Sequence, residues 1–564
     1  GQRRPAIADL DAAIAVIGRP HPDLYLERAR LQIAEGDHAG ARAGLDGARA
    51  RLGGVASLEL FAIELELAEG RPTAADARLG ALQSQYADAA PLAGLSARIA
   101  AAGGGSSGHS GAGPIAAAVK APPQIPAAAP VPAPGMATSP AATVTRGPYL
   151  QVGTADAVTV RWRTSQQTNS EVRFGTSPGI LSGIASDAVT TIEHEMRLSG
   201  LSPGTRYYYS VGTSTETLAG DSSYTFQTAP TPGSTPPVRL WAIGDSGSPT
   251  TAAAAVRDAY AAWTGARGTD LWLMLGDNAY SSGTDTEYQV GVFNQYPQML
   301  RQSVLWPTRG NHDDLHGGPF NDYYEIFTMP AAAEAGGLVS GTESYYAFDW
   351  ANIHFVCLDS EGSDRSPGGA MLTWLANDLA ANTRPWVIAF WHHPPYSKGS
   401  HDSDSETSLR EMRQNALPIL EAGGVDLVLT GHSHSYERSF MLNGHYGLSN
   451  TLTPAMVVDG GDGRPGGDGA YVKPGSTPSP NAGAVHVVAG CASSVAGGPL
   501  NHPVMVTSLN LWGSMAIDIH RNQLAARFLS HTGAVLDSFE IVKSSVVGAD
   551  GDPPTTRGVR LGPG

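Results

Sequence analysis

The pattern of apolar and polar positions changes character three times along the 564-residue chain. From residue 5 to about 101, apolar side chains recur at helical spacing among Ala, Leu, Glu and Arg. A shift of 34 positions lays Leu26 on Leu60, Leu31 on Leu65, and Ala34-Glu35-Gly36 on Ala68-Glu69-Gly70; Ala41, Ala43 and Leu45 fall on Ala75, Ala77 and Leu79. That period, with small residues where paired helices must approach closely, predicts stacked helical hairpins over 1–101; a plain helical bundle is the alternative. Only two copies are visible, and such arrays need about three to bury a continuous face, so this one is cut at its start or docks on something else. Residues 102–143 pass from Gly/Ser to Pro/Ala and predict a linker that cannot bury enough apolar surface to order itself. Over 144–230 the period shortens to two. "AVTVRWRT" alternates Val158, Val160 and Trp162 with polar neighbours, and "LSGLSPGTRYYYSVG" has a Pro-Gly turn before Tyr207 and Tyr209, which predicts an all-β sandwich. Over 237–545 the apolar runs "VRLWAI", "LWLML", "VLW", "WVIAFW" and "VDLVLT" are each bounded by turn signals, and "PTTAAAAVRDAYAAW" after the first is helical. This predicts an α/β domain of β-sheets flanked by helices, followed by a flexible tail at 546–564.

Composition narrows the partners. The chain carries 36 basic and 52 acidic side chains, a formal charge of −16, whereas polyphosphate backbones are bound chiefly by clusters of Lys and Arg. Nucleic acid is not the expected partner. Two cysteines exclude a disulfide scaffold, and both Cys357 and Cys491 read as small core residues. No run of 18 apolar residues exists, so no membrane span is expected. The chain starts at Gly1 without a charged-then-apolar leader, which reads as a mature or truncated product; the expected setting is extracellular or periplasmic.

The informative residues lie just after the apolar runs: Gly244-Asp245, Gly276-Asp277, Gly310-Asn311-His312-Asp313, His392, and Gly431-His432-Ser433-His434. In α/β proteins the carboxyl ends of strands converge on the ligand crevice, so five successive ends bring hard oxygen and imidazole donors together. That set suffices for two metal ions. The stretch "GDSG" at 244–247 also suggests a serine nucleophile, but a helical segment follows it and serine catalysis would leave the other four ends without a role.

With "GDNAY", "GNHD" and "GHSH" in this order, residues 146–545 resemble the metallophosphoesterase superfamily and, within it, the purple acid phosphatases. The broad pattern has His two positions after the first Asp, where this chain has Gly247; Tyr280, three beyond Asp277, marks the narrower family. The resemblance implies that Asp245, Tyr280 and His434 hold Fe(III), that Asp277 bridges, and that Asn311, His392 and His432 hold a divalent ion, Fe, Zn or Mn. It implies His312 and His401 as phosphate binders and acid catalysts. The activity it implies is cleavage of phosphate monoesters of a small-molecule substrate by in-line attack of a metal-bound hydroxide. A phosphodiesterase or nucleotide hydrolase on the same centre is the alternative, and a repeat-based scaffold with a vestigial catalytic domain a third reading. Plant-type members often carry a second His after His401, where this chain has Asp402. The Leu-Ser-Pro-Gly-Thr-x-Tyr-x-Tyr run resembles fibronectin type III domains, and the amino-terminal helices resemble tetratricopeptide repeats, which would offer a site for a protein partner. His393 and Asp313 are expected to support ligands rather than to be ligands. His486, His502, His520 and His531 match no motif, and the glycine-rich segment 457–483 is expected as a mobile loop near the mouth rather than a calcium site.

Overall fold

The computed structural model describes residues 35–52, 56–85 and 141–544 apart from 314, 316–321 and 476, together with Ile99 and scattered positions before residue 34. Leu26, Ala34, nearly all of the 102–143 linker including His109, and the 546–564 tail therefore lie outside the described residues. Among the described residues, the helices His38–Leu52, Ala56–Ala68 and Pro72–Gln85 lie in the amino-terminal region. The turns before the first and third are superimposable in kind. Gly36 and Gly70 have φ of 81° and 67°, and each is followed by a residue, Asp37 or Arg71, whose N–H reaches back 2.8 Å to Gln32 or Glu66. A left-handed residue after the last helical turn is where glycine is favoured. Ala41, Leu45, Ala75 and Leu79, matched by the 34-residue shift, are all buried. Ile63, Ala75, Leu79 and Ile99 form an apolar cluster with Val290 of the α/β domain, so the helices pack on that domain.

The next domain consists of β1 (Val144–Gln151), β2 (Ala157–Gly175), β3 (Gly183–Ser199), β4 (Arg206–Gly212), β5 (Thr217–Ala219) and β6 (Thr225–Gln227). The long β2 pairs with β3 along its length, with β1 over its first half and with β4 over its second. Two faces that alternation alone would separate are thus one hydrogen-bonded set. Nor does the domain stand apart: Leu150 of β1 pairs in parallel with Val304, and Tyr149 and Tyr209 donate their hydroxyls to the carbonyls of Ile326 and Arg301.

In the α/β domain, β7 (Val238–Ile243), β8 (Leu271–Leu275) and β9 (Val304–Thr308) run parallel. The second sheet contains β10 (Tyr346–Trp350), β11 (Ile353–Cys357), β12 (Trp386–Phe390), β13 (Leu427–Thr430) and β14 (Tyr436–Ser439). After the small pair β15 (Met441–Leu442) and β16 (Val457–Asp459) come β17 (Tyr471–Pro474), β18 (Val485–Ala489), β19 (Met505–Leu509), β20 (Gly513–His520), β21 (Gln523–Ser530) and β22 (Val535–Ser544). β20 to β22 and then β17 extend the first sheet beyond β7, while β18 and β19 join the second. Segment 457–483, expected as a mobile loop, is instead partly strand. β17 pairs with β22, the buried Lys473 meets Asp426 at 2.8 Å, and Arg464 meets the buried Asp537 at 2.7 Å. Its glycines hid the Tyr-x-Lys alternation that the sheet edge uses.

The two sheets face one another across a shared core. Trp306 of β9 stacks on Phe348 of β10 with ring centroids 3.7 Å apart, and Phe348 on Phe355 of β11. Strand alternation sorts β12: Trp386, Ile388 and Phe390 enter this core, while Val387 and Ala389 pack outward with Leu372 and Leu375 of helix Ala370–Ala381. Being covered on both faces, these strands read as continuous apolar runs. β7, β8 and β9, and likewise β12 and β13, are parallel within their sheets, so within each sheet the post-strand turns emerge at one end.

Candidate metal centre

Each strand ends in a turn that presents one side chain to the gap between the sheets. Asp245, Asp277 and His432, which follow β7, β8 and β13, have φ of 54°, 52° and 66°. Non-glycine residues rarely adopt this region, and such strain concentrates at functional positions. The preceding glycines allow the turns to converge. A Cβ on Gly276, itself at φ 87°, would lie 2.5 Å from His392 Nδ1, and one on Gly431 would lie 2.5 Å from Asp245 Oδ2. Gly247 is pressed on the neighbouring turn, where a Cβ would come 2.4 Å from the Ala279 nitrogen. No histidine fits there, and Tyr280 reaches in from that neighbouring turn instead.

All seven predicted ligand residues meet, in two groups joined by Asp277. In the first, the Tyr280 hydroxyl lies 3.1 Å from Asp245 Oδ1, 2.9 Å from Asp277 Oδ2 and 3.2 Å from His434 Nε2. His434 Nε2 is 3.3 Å from Asp245 Oδ1. In the second, Asn311 Oδ1 lies 3.0 Å from both His392 Nε2 and His432 Nδ1, those two nitrogens are 3.2 Å apart, and His392 Nε2 is 3.4 Å from Asp277 Oδ1. Metal bonds of about 2.0–2.1 Å meeting at right angles set ligand atoms about 3 Å apart, so these separations, which are also those of hydrogen bonds, match the spacing of donor atoms around a cation.

The outer partners of the second group decide where its protons lie. His392 donates Nδ1–H to the Leu275 carbonyl at 2.9 Å, and His432 donates Nε2–H to Glu406 at 3.3 Å. In the neutral rings the facing nitrogens are lone pairs beside two oxygens, an arrangement relieved by positive charge among them, either a proton on His392 or a bound cation. The field shows the same demand. Burial opposes protonation of His392, yet the Asp277 carboxylate overcomes it and pulls the imidazole up to about 10. Burial, reinforced by His401, pushes His432 well below the usual imidazole range. The donor set therefore fits two cations, and groups of Asp245, Asp277 and His392 and of His392, His393 and His432 lie close enough to hold an ion.

The two predicted acid catalysts flank opposite groups. His312 lies over Tyr280, with centroids 4.7 Å apart, and its Nδ1–H is donated to the Ser281 carbonyl at 2.8 Å. His401 lies against His432, with ring centroids 3.8 Å apart and the planes tilted by 33°. In each, Nε2 is the nitrogen left over for a substrate. Asp313 lies beneath both turns, accepting N–H bonds from Asn278, Ala279 and Gly310. His393 is buried, faces Ser360 Oγ at 2.9 Å and packs against His432. His486 and His502 are buried around Tyr396, and both cysteines are free and buried. Sequence reasoning missed Glu406. It accepts Nδ1–H of His401 at 3.0 Å as well as the His432 bond, but in "DSDSETS" it looks like one more solvated acid.

Residues 238–436 match the calcineurin-like phosphoesterase family, and residues 146–228 match the purple acid phosphatase N-terminal domain. Probable purple acid phosphatase 20 of Arabidopsis thaliana is 28% identical over 303 residues, 50% of this chain and 66% of that protein. Purple acid phosphatase 22 of the same plant is 28% identical over 292 residues, 48% of this chain and 61% of that protein. The chain thus spans less than two thirds of these plant relatives' length. Acid phosphatase type 7 of Homo sapiens is 28% identical over 318 residues, 51% of this chain and 68% of that protein. Among solved structures, the purple acid phosphatase PPD1 from yellow lupin seeds superposes with a TM-score of 0.54 at 18% identity, covering 73% of this chain and 78% of its own. That likeness concerns the fold, and it spans the sheet-rich domain and the α/β domain together.

Proposed function

We propose that this protein is a metal-dependent phosphatase of the purple acid phosphatase type, acting on phosphate monoesters. One observation carries the reading: two four-atom donor groups share Asp277, and in the second the ring protons of His392 and His432 are drawn off to outer partners. The first group, Asp245, Tyr280, His434 and Asp277, suits a hard trivalent ion such as Fe(III). A phenol with a solution pKa of about 10 ionises readily only beside a strong cation. The second, Asn311, His392, His432 and Asp277, suits a divalent ion, Fe, Zn or Mn.

When bound, such ions supply a Lewis-acid clamp on phosphate oxygens and lower the pKa of water between them. The chain's own residues do the rest. His312 and His401, one over each group, offer Nε2–H in their imidazolium forms to the phosphate and to the oxygen of the departing alcohol, which must receive a proton as the P–O bond breaks. The Ser281 carbonyl and Glu406 take the other ring protons and so orient the donors.

The reading extends to the rest of the chain. The amino-terminal helices are a tetratricopeptide-like surface for a protein partner, the sheet-rich domain is fibronectin type III-like, and the protein works outside the cytoplasm. Among the described residues no helix is long and apolar enough to cross a membrane. The test is metal analysis of purified protein, its visible spectrum, and turnover of a monoester against a diester. The reading expects about two ions per chain, a tyrosinate charge-transfer band and faster monoester turnover. A colourless protein with no bound ion and no hydrolysis overturns it.

A further inference from the structure

Glu406 is the residue at the centre that neither the motifs nor the ligand set accounts for. It lies just before the short helix Thr407–Glu411, yet its carboxylate is not spent on that helix. Oε1 accepts the backbone N–H of Asp402 and Nδ1–H of His401, both at 3.0 Å; Oε2 lies 3.0 Å from the same His401 nitrogen and 3.3 Å from His432 Nε2. One carboxylate thus holds both a candidate proton donor and a candidate metal ligand whose ring centroids are 3.8 Å apart.

We propose that Glu406 is a positioning residue that sets two imidazoles at once, fixing the His401 ring and fixing the His432 tautomer whose Nδ1 lone pair faces Asn311 and His392. The argument is one of proton accounting. A neutral imidazole has a single N–H, so the ring nitrogen that faces a carboxylate carries it and the other nitrogen is a lone pair. For His432 the outer nitrogen faces Glu406, so the inner one is bare and able to bind a cation. For His401 the carboxylate holds Nδ1–H, so Nε2 is the nitrogen that brings a second proton, in the imidazolium form, to the substrate. The acid and the ligand are therefore coupled: a change at Glu406 disturbs the second ion and the departing alcohol's proton together, and leaves the Tyr280 group alone.

This inference rests on the phosphatase reading, and the test separates the two. Glu406→Gln places an amide N–H against one of the two imidazoles, and Glu406→Ala removes the acceptor altogether. Wild type and both variants are compared in zinc affinity of the second position by titration and mass spectrometry, and in kcat for an aryl phosphate with a good leaving group against a simple alkyl phosphate. Retention of the visible Tyr280 band reports a folded first group. The expected result is zinc binding weaker by roughly 10–100-fold, the range for loss of an outer partner of a ligand. The expected kcat loss is at least about tenfold larger on the alkyl ester, whose oxygen needs the proton, than on the aryl ester. Unchanged zinc affinity together with equal losses on both esters overturns the role of Glu406. Wild type that hydrolyses neither ester overturns the phosphatase reading instead, and the zinc titration then still decides what Glu406 does to His432.

Discussion

The two donor groups share a carboxylate and little else. The Tyr280 group is three oxygens and one imidazole, with two carboxylates and a phenol, all of it buried. Its supports are main chain and hydroxyl: the His432 N–H donates to Asp245 Oδ2 at 2.8 Å, and the His434 N–H to Ser400 Oγ at 2.9 Å. The Asn311 group has one carboxylate, an amide oxygen and two imidazoles. It leans on Glu406, whose side chain is 36% exposed. Negative donors in a dry, backbone-held pocket favour a small, highly charged ion that exchanges slowly. Neutral donors held by a carboxylate at the rim favour a divalent ion that comes and goes. On the phosphatase reading proposed above, this asymmetry assigns a fixed ion to the Tyr280 group and an exchangeable one to the Asn311 group.

The sharpest way to break that picture is at the residue both groups use. Asp277→Asn keeps the shape and removes the shared charge. Because a ligand to both groups is lost, activity is expected to fall by more than the roughly 100-fold seen at the upper end for an outer partner, and both ions to drop in stoichiometry. Metal analysis that shows only one ion affected would mean the groups are independent sites. Tyr280→Phe tests the first group by itself. The visible band should vanish and activity fall by on the order of 10–100-fold, while zinc binding at the second group persists. A band that survives would place the tyrosinate elsewhere. Brief chelation tests the second group, with a smaller and reversible effect: activity should be lost before colour and return on adding zinc. Simultaneous loss of both would erase the proposed difference in exchange.

The first group was the more legible of the two in the sequence. Asp245, Asp277 and Tyr280 sit in short glycine-marked turns behind apolar strands, and the absence of histidine at Gly247 has a steric cause, since the turn carrying Tyr280 occupies that space. The second group was legible as a set of donor side chains but not as a supported unit. Glu406 lies in a polar run whose other acids bind elsewhere, Asp402 and Asp404 both pairing with Lys398, so spacing gave no sign that one of three carboxylates turns inward. Changes in period gave no sign of which segments pair with one another. Leu150 on Val304 and Val290 on Ile63 are contacts between segments far apart in sequence, and alternation carries no information about which edge meets which.

The smallest expected effect comes from beneath both groups. Asp313 lies under the turns of Asp277 and Asn311, accepting N–H bonds from Asn278, Ala279 and Gly310, the Asn278 side-chain amide at 3.0 Å and the Tyr288 hydroxyl at 2.8 Å. Asp313→Asn keeps one acceptor oxygen and turns an amide N–H toward groups that are themselves donors, so at least one buried N–H loses its partner. That costs about 1–3 kcal/mol, and urea unfolding should report it as a lower midpoint with an unchanged slope. Both turns rest on the same carboxylate, so the loosening should be shared: colour and zinc affinity should weaken together, each by less than Tyr280→Phe or Glu406→Gln weakens its own group. A loss confined to one ion would show that Asp313 belongs to that group alone, and the common floor beneath the two would have to be sought in the sheets.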